Sequence, residues 1–169
     1  MSMFEDNRYR WRETYFVLFD VRSRPRLKTV SETLAALNPR YELTQLNADE
    51  DGLIDSLTLI SPDDFAAMDV CYIEGEEVFE QSVEMIKELK RAYGGAAPPV
   101  SWKQLQEYAG RLDVLHFERI LEETGDDLDE DDGDMLNPSA LLIVLNALAT
   151  LTGGVIIDPQ AGMIMLNDD

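Results

Sequence analysis

The chain has 169 residues, of which 34 are Asp or Glu and 14 are Lys or Arg, so its formal net charge at pH 7 is −20. This length suits one domain or two small ones, and 45% hydrophobic residues can form a core without disulfides. The charge disfavours nucleic acid as a partner, because an acidic surface is repelled by phosphates, and the single cysteine favours a cytoplasmic location.

The first elements predicted along the chain are a strand, a helix and a hairpin. Residues 14–20 form a continuous run of mostly aromatic and branched side chains, typical of a strand covered on both faces. Apolar residues recur at helical spacing from Leu27 to Leu37, and Asn38 and Pro39 end this helix. Alternating polarity at residues 41–43 and 57–59 then predicts two antiparallel strands.

The next elements predicted are a short helix, a fourth strand and a long helix. Pro62 begins the short helix at residues 62–67, and the apolar run that follows predicts a strand at residues 69–74. From Glu76 to Tyr93 the apolar residues form one helical stripe. Acidic residues lie at the N-terminal end of this helix and basic ones at its C-terminal end, which suits the helix dipole.

Residues 94–100 are rich in Gly, Ala and Pro and predict a linker between two modules. Residues 1–93 would form an α+β sheet module, and residues 101–169 a helical segment that ends in a β-hairpin and packs against the first module. Within the second segment we predict helices at residues 101–109, 113–123 and 139–151. Two strands then form the hairpin at residues 155–166.

The helix at residues 139–151 is apolar on all sides, which predicts burial all round. A membrane span needs about 20 apolar residues. This helix is shorter, so no membrane association is expected.

The order of elements over residues 14–93 is strand, helix, strand, strand, short helix, strand, helix. This order is similar to a ferredoxin-like βαββαβ sandwich with an extra terminal helix. The resemblance implies an α+β fold with a four-stranded antiparallel or mixed sheet, and a plain four-stranded α+β layer is the alternative. Because the ferredoxin-like fold hosts many unrelated functions, it implies no activity.

The turn between the two hairpin strands is close to a calcium-binding loop. Asn47, Asp49 and Asp51 occupy positions one, three and five of such a loop. Position twelve is Thr58 instead of a bidentate glutamate, and a hairpin turn made of turn-forming residues explains the same sequence. Weak calcium binding by Asn47, Asp49, Asp51 and Asp55 is the alternative prediction, and no other cofactor is expected.

An acidic run precedes the apolar helix and puts seven carboxylates into nine residues. Its members are Asp126, Asp127, Asp129, Glu130, Asp131, Asp132 and Asp134. Such a run stays extended by self-repulsion or binds a cation. A docking surface for a basic partner is a further interpretation.

Basic charge is concentrated in the first 40 residues, which hold eight basic and five acidic side chains, against six and 29 in the remainder. Alternate residues of an extended segment share a side, so two arginine trios would each form a cationic stripe. The trios are Arg8, Arg10 and Arg12, and Arg22, Arg24 and Arg26. Pairing with the acidic body or with a second copy is favoured over recognition of an anionic ligand.

The sequence carries no catalytic signature. With one histidine, His-based triads and multi-histidine metal sites are excluded within one chain. His116 is expected on the exposed or boundary side of a helix that begins at Asp113, and Cys71 is expected to be a core residue and not a nucleophile.

The separation of charge along the chain therefore favours a non-catalytic cytoplasmic interaction or regulatory module. Its expected partner is a basic protein or a second copy of the chain. A cation-binding module is one alternative. A small enzyme that uses a carboxylate or His116 as general base is the other.

Overall fold

The structure is a computed structural model that describes residues 7–120 and 139–165. The strands are β1 (Tyr9–Phe19), β2 (Glu42–Ala48), β3 (Ile54–Ser61), β4 (Ala66–Glu74), β5 (Gly110–Arg119), β6 (Val155–Asp158) and β7 (Met163–Met165). The helices are α1 (Leu27–Leu37), α2 (Glu76–Tyr93), α3 (Trp102–Glu107) and α4 (Ser139–Thr152). Single 3₁₀ turns lie at Val21–Ser23 and Pro62–Asp64.

The described strands form one seven-stranded sheet in the order β2-β3-β4-β5-β1-β6-β7. Every neighbouring pair is antiparallel. The predicted four-stranded sheet is therefore wrong, and so is the ferredoxin-like order, although the fold is α+β. The segment at residues 94–100 joins α2 to α3, and strands that precede and follow it lie in the same sheet.

The main error concerns β5, because residues 113–119 were predicted to be helical. Val114 and Phe117 are three residues apart, a spacing that also fits one face of a helix, but in the strand they lie on opposite faces, and both are fully buried. A strand that is covered on both faces has no alternation of polarity to reveal it. The last three residues of that predicted helix, 121–123, lie outside the described residues.

Two neighbouring predictions are wrong because they did not include strand pairing with β5. β1 begins at Tyr9, five residues earlier than predicted, because its first half pairs with β5. The predicted helix at residues 62–67 is one 3₁₀ turn, because β4 begins at Ala66 and pairs with both β3 and β5. The β2–β3 hairpin, α1, α2 and the C-terminal hairpin are confirmed.

Helices cover both faces of the sheet. On one face, here called the α4 face, α1 and α4 pack on Val17, Phe19 and Val114. On the other, the α2 face, Ile86 and Leu89 of α2 pack on Leu18 of β1, together with α3. Alternate residues of each strand therefore belong to different cores.

The prediction that α4 is buried all round is wrong. Leu142 and Ile143 are 42% and 45% exposed, because α4 packs on the sheet and on α1 through its other side only. Within the described ranges, no helix combines the length and the hydropathy that a membrane crossing requires.

Candidate functional site

A cavity of about 400 Å³ lies between α2 and the sheet, and we call it the α2 cavity. Its apolar wall is made by side chains from β1, α2 and β6, namely Phe16, Met85, Leu89 and Ile157. Its acidic rim is made by three residues of α2, namely Glu80, Glu84 and Glu88. The cavity therefore offers an apolar body and a negatively charged entrance.

The acidic rim follows from the spacing of residues along α2. Side chains four positions apart lie one above another on a helix, so the three glutamates form one line. Ile86 and Leu89 are buried and fix this orientation. Glu84 pairs with Lys87 at 3.3 Å, but both side chains are largely exposed, so this pair contributes little. Carboxylates at this spacing repel one another, and a bound cation would relieve that repulsion.

Arg111 closes the base of the cavity and is only 5% exposed. Its Nε donates to Asp113 Oδ1 at 2.6 Å, its Nη2 donates to Asp113 Oδ2 at 3.1 Å, and its Nη1 donates to Gln81 Oε1 at 2.7 Å. The guanidinium also lies 4.1 Å from the centre of the Phe16 ring. Burial raises the pKa of Asp113, and Arg111 opposes this shift. Arg111 is thus committed to its own neighbours, and the unbalanced charge of the cavity is negative.

The predicted calcium ligands lie elsewhere, and an arginine binds two of them. Arg24 Nη1 is 3.1 Å from Asp49 Oδ2, and Arg24 Nη2 is 2.7 Å from Asp55 Oδ1. Asn47 is not part of this group, because its Nδ2 donates to Gln45 O and Ser56 Oγ. Among the described residues, no three His, Cys, Asp or Glu side chains are grouped to hold a metal ion. Calcium binding stays a prediction, and it would require Arg24 to be displaced.

Three more of the predicted interaction arginines form ion pairs with nearby carboxylates. Arg10 and Arg12 both pair with Glu118, the latter at 3.2 Å. Arg22 pairs with Asp20 at 2.6 Å and holds the pKa of that carboxyl at about 2.

Of the other predicted interaction residues, Arg26 Nη2 donates to Asp51 O at 3.5 Å. Arg8 lies 6.0 Å from the centre of the Tyr9 ring. The seven acidic residues of the run from Asp126 to Asp134 lie outside the described residues.

His116 is fully buried in β5, so its predicted exposed or boundary position on a helix is wrong. Its Nδ1 lies 3.4 Å from Glu13 Oε1, and its Nε2 has no partner in the described part of the chain. Asp113 lies three residues away along the strand and therefore on the opposite face of the sheet, so the two do not form an acid–base pair. His116 does not line the α2 cavity, and its side chain is fully buried.

His116 makes stability depend on pH. Burial lowers the pKa of His116 from 6.5, and the Glu13 carboxylate opposes the shift. The unfolded chain therefore takes up this proton first as pH falls through 6.5, so acidification favours unfolding. We expect the free energy of unfolding to fall between pH 7.5 and 5.5, by at most about 1.4 kcal/mol per pH unit from this group. Urea denaturation at several pH values should show a smaller fall in the free energy of unfolding for His116→Gln than for wild type. An equal dependence on pH in both proteins would contradict the role of His116.

Cys71 lies in β4 and is partly buried. Burial raises the pKa of its thiol to about 11, and the carboxylates of Asp69 and Asp113 add to the shift. The thiol is therefore protonated at neutral pH, which agrees with the expectation that Cys71 is not a nucleophile.

The α2 cavity was not predicted from the sequence. Its residues come from β1, α2, β5, β6 and the β6–β7 turn, which the predicted fold did not bring together. The spacing of the glutamates on α2 was visible, but the apolar wall opposite them was not. Comparisons with protein-family models, with curated proteins and with solved structures gave no match.

Proposed function

We propose that the chain is a non-catalytic binding module whose α2 cavity takes a basic side chain of a protein partner. The observation that supports this most strongly is an apolar wall that faces three aligned glutamates. A lysine or arginine side chain matches both parts, because its methylene groups pack on apolar surface while its charge meets carboxylates.

The net charge of the chain supports the same partner. A charge of −20 attracts a basic protein over a distance and raises the rate of encounter. The α2 cavity would then supply the specificity that a diffuse field lacks. Glu80 and Glu88 have no ion-pair partner within residues 7–120 and 139–165, so both are available to an incoming cation.

The test compares two variants that change the net charge equally. Glu80→Gln/Glu88→Gln removes the rim, whereas Glu32→Gln/Glu50→Gln removes two exposed carboxylates outside the cavity. The probe is a peptide that repeats Lys-Leu-Ser, and its binding is measured by isothermal titration calorimetry. We expect the rim variant to bind roughly ten-fold more weakly, because each exposed ion pair contributes up to about 1 kcal/mol.

The control variant should bind this peptide within about two-fold of wild type, since screened charges far from the site matter little. Acetylation of the peptide lysines should abolish binding. Equal loss in both variants would mean that only the overall charge attracts the peptide, and it would contradict a site in the α2 cavity.

A further inference from the structure

A second cavity, of about 240 Å³, lies near β2, β3 and β4, on the same face of the sheet as the α2 cavity. We call it the Asp69 cavity. Its polar lining is supplied by Gln45, Asn47, Ser56, Thr58, Asp69 and Cys71. Asp69 is 6% exposed and accepts a hydrogen bond from Thr58 Oγ1 at 2.7 Å. Asp69 is the only charged residue among the described lining residues, so this cavity also favours a cation over an anion.

One row of paired residues crosses the sheet and connects the two cavities. In order across the strands, its members are Ile157, Phe16, Asp113, Cys71, Ser56 and Asn47. The first two line the α2 cavity and the last three line the Asp69 cavity. Paired residues of neighbouring strands point to the same face, so both cavities lie on the α2 face with Asp113 between them.

The separation of the cavities follows from strand geometry. The α2 cavity lies over β6 and β1, and the Asp69 cavity lies over β4 and β3. The centres of the two cavities are therefore three strand spacings apart, or roughly 14 Å. An extended peptide advances about 3.3 Å per residue, so positions four apart are separated by roughly 13 Å. Positions four apart also point to the same side of an extended peptide.

The wall of the Asp69 cavity includes a residue with an unusual backbone conformation. Gln45 has φ 54°, in the left-handed region that residues other than glycine seldom adopt. It lies where the pairing of β2 with β3 shifts register, between Thr44 and Asn47. Strained residues and bulges of this kind occur at binding sites, where they direct side chains into the site.

From this geometry we infer that the partner presents an extended segment with two basic residues four positions apart, one for each cavity. The inference rests on the proposed function, because the first basic residue occupies the α2 cavity. The second meets Asp69 and the polar side chains around it. The carboxylate between the two cavities, Asp113, is held by Arg111 and does not compete for the segment.

The test uses Gly-Ser peptides of equal length with two lysines, placed either four or two positions apart. Both spacings put the lysines on one side of an extended chain, but only the longer one spans the cavities. We expect the four-position peptide to bind at least roughly ten-fold more tightly, because the second contact becomes intramolecular. Asp69→Asn should remove this preference.

Because Asp69 is buried, Asp69→Asn could disturb the fold, so a second variant is needed. Ser56→Leu fills the Asp69 cavity and leaves the carboxylate in place, and it should remove the same preference. Retention of the preference in both variants, or its absence in wild type while Glu80→Gln/Glu88→Gln still weakens binding, would overturn the inference and leave the proposed function standing. If neither lysine peptide bound wild type, both would be contradicted.

Discussion

Replacing Asp113 by Asn is expected to lower the free energy of unfolding by roughly 3–5 kcal/mol. Arg111 and Asp113 have side chains that are 6% and 14% exposed, and they are joined by two hydrogen bonds. Loss of the carboxylate leaves a buried guanidinium with Gln81 and the Phe16 ring as its described contacts. A buried charge without its counter-ion cannot recover the hydration that it lost on folding.

Urea denaturation measures this loss, and an exposed pair of the same type supplies the control. Asp63 pairs with Arg40 at 3.3 Å, with side chains that are 46% and 73% exposed. Asp63→Asn should therefore change stability by less than about 1 kcal/mol. A double replacement, Arg111→Met with Asp113→Leu, should restore much of the stability, because no charge is then buried. A loss for Asp113→Asn no larger than the control would contradict an enclosed pair.

Replacing Arg24 by Ala is expected to lower the free energy of unfolding by roughly 2–3 kcal/mol. Arg24 donates to Ile54 O from Nε at 2.9 Å and from Nη2 at 2.7 Å, and it lies 4.0 Å from the centre of the Tyr72 ring. It is also the cation that Asp49 and Asp55 share. The variant loses these contacts and leaves two carboxylates facing each other.

Thermal or urea unfolding of Arg24→Ala should be compared with Arg22→Ala. Arg22 pairs with Asp20 at the surface, where its side chain is 87% exposed, so its loss should have a much smaller effect. Adding calcium to Arg24→Ala tests the calcium prediction at the same time, since Asp49 and Asp55 then no longer pair with the guanidinium. Equal effects of the two replacements would mean that the contacts of Arg24 with Ile54, Tyr72, Asp49 and Asp55 do not stabilise the fold more than an exposed ion pair does.

Elements with a strong local pattern could be predicted from the sequence. The stripe of apolar residues in α2 and the alternation in the β2–β3 hairpin arise within one segment, so no tertiary contact is needed to detect them. The position of β5 depends on contacts with residues almost 100 positions earlier, such as Phe16 opposite Asp113. Because both faces of β5 are buried, its sequence lacks the alternation of polarity that identifies a strand with one exposed face.

The candidate site was less predictable than the fold. The arginine-rich first 40 residues suggested a cationic region facing an acidic one, but folding places Arg24 between Asp49 and Asp55 and places Arg10 and Arg12 at Glu118. These three arginines are thus paired with carboxylates that are distant along the chain. Within the described residues, no arginine pairs with Glu80, Glu84 or Glu88, and only the sheet order shows that an apolar wall lies opposite these glutamates.

The most direct test of a basic-residue site in the α2 cavity is a methyl NMR titration with methionines labelled at Cε. Met85 lines the α2 cavity, and Met68 is fully buried on the other face of the sheet. The Met85 signal is assigned with Met85→Leu. As the Lys-Leu-Ser peptide is added, this signal should shift along a saturating curve that gives the same Kd as calorimetry. The Met68 signal should stay in place. Binding that leaves the Met85 signal unmoved would show that the peptide occupies another surface.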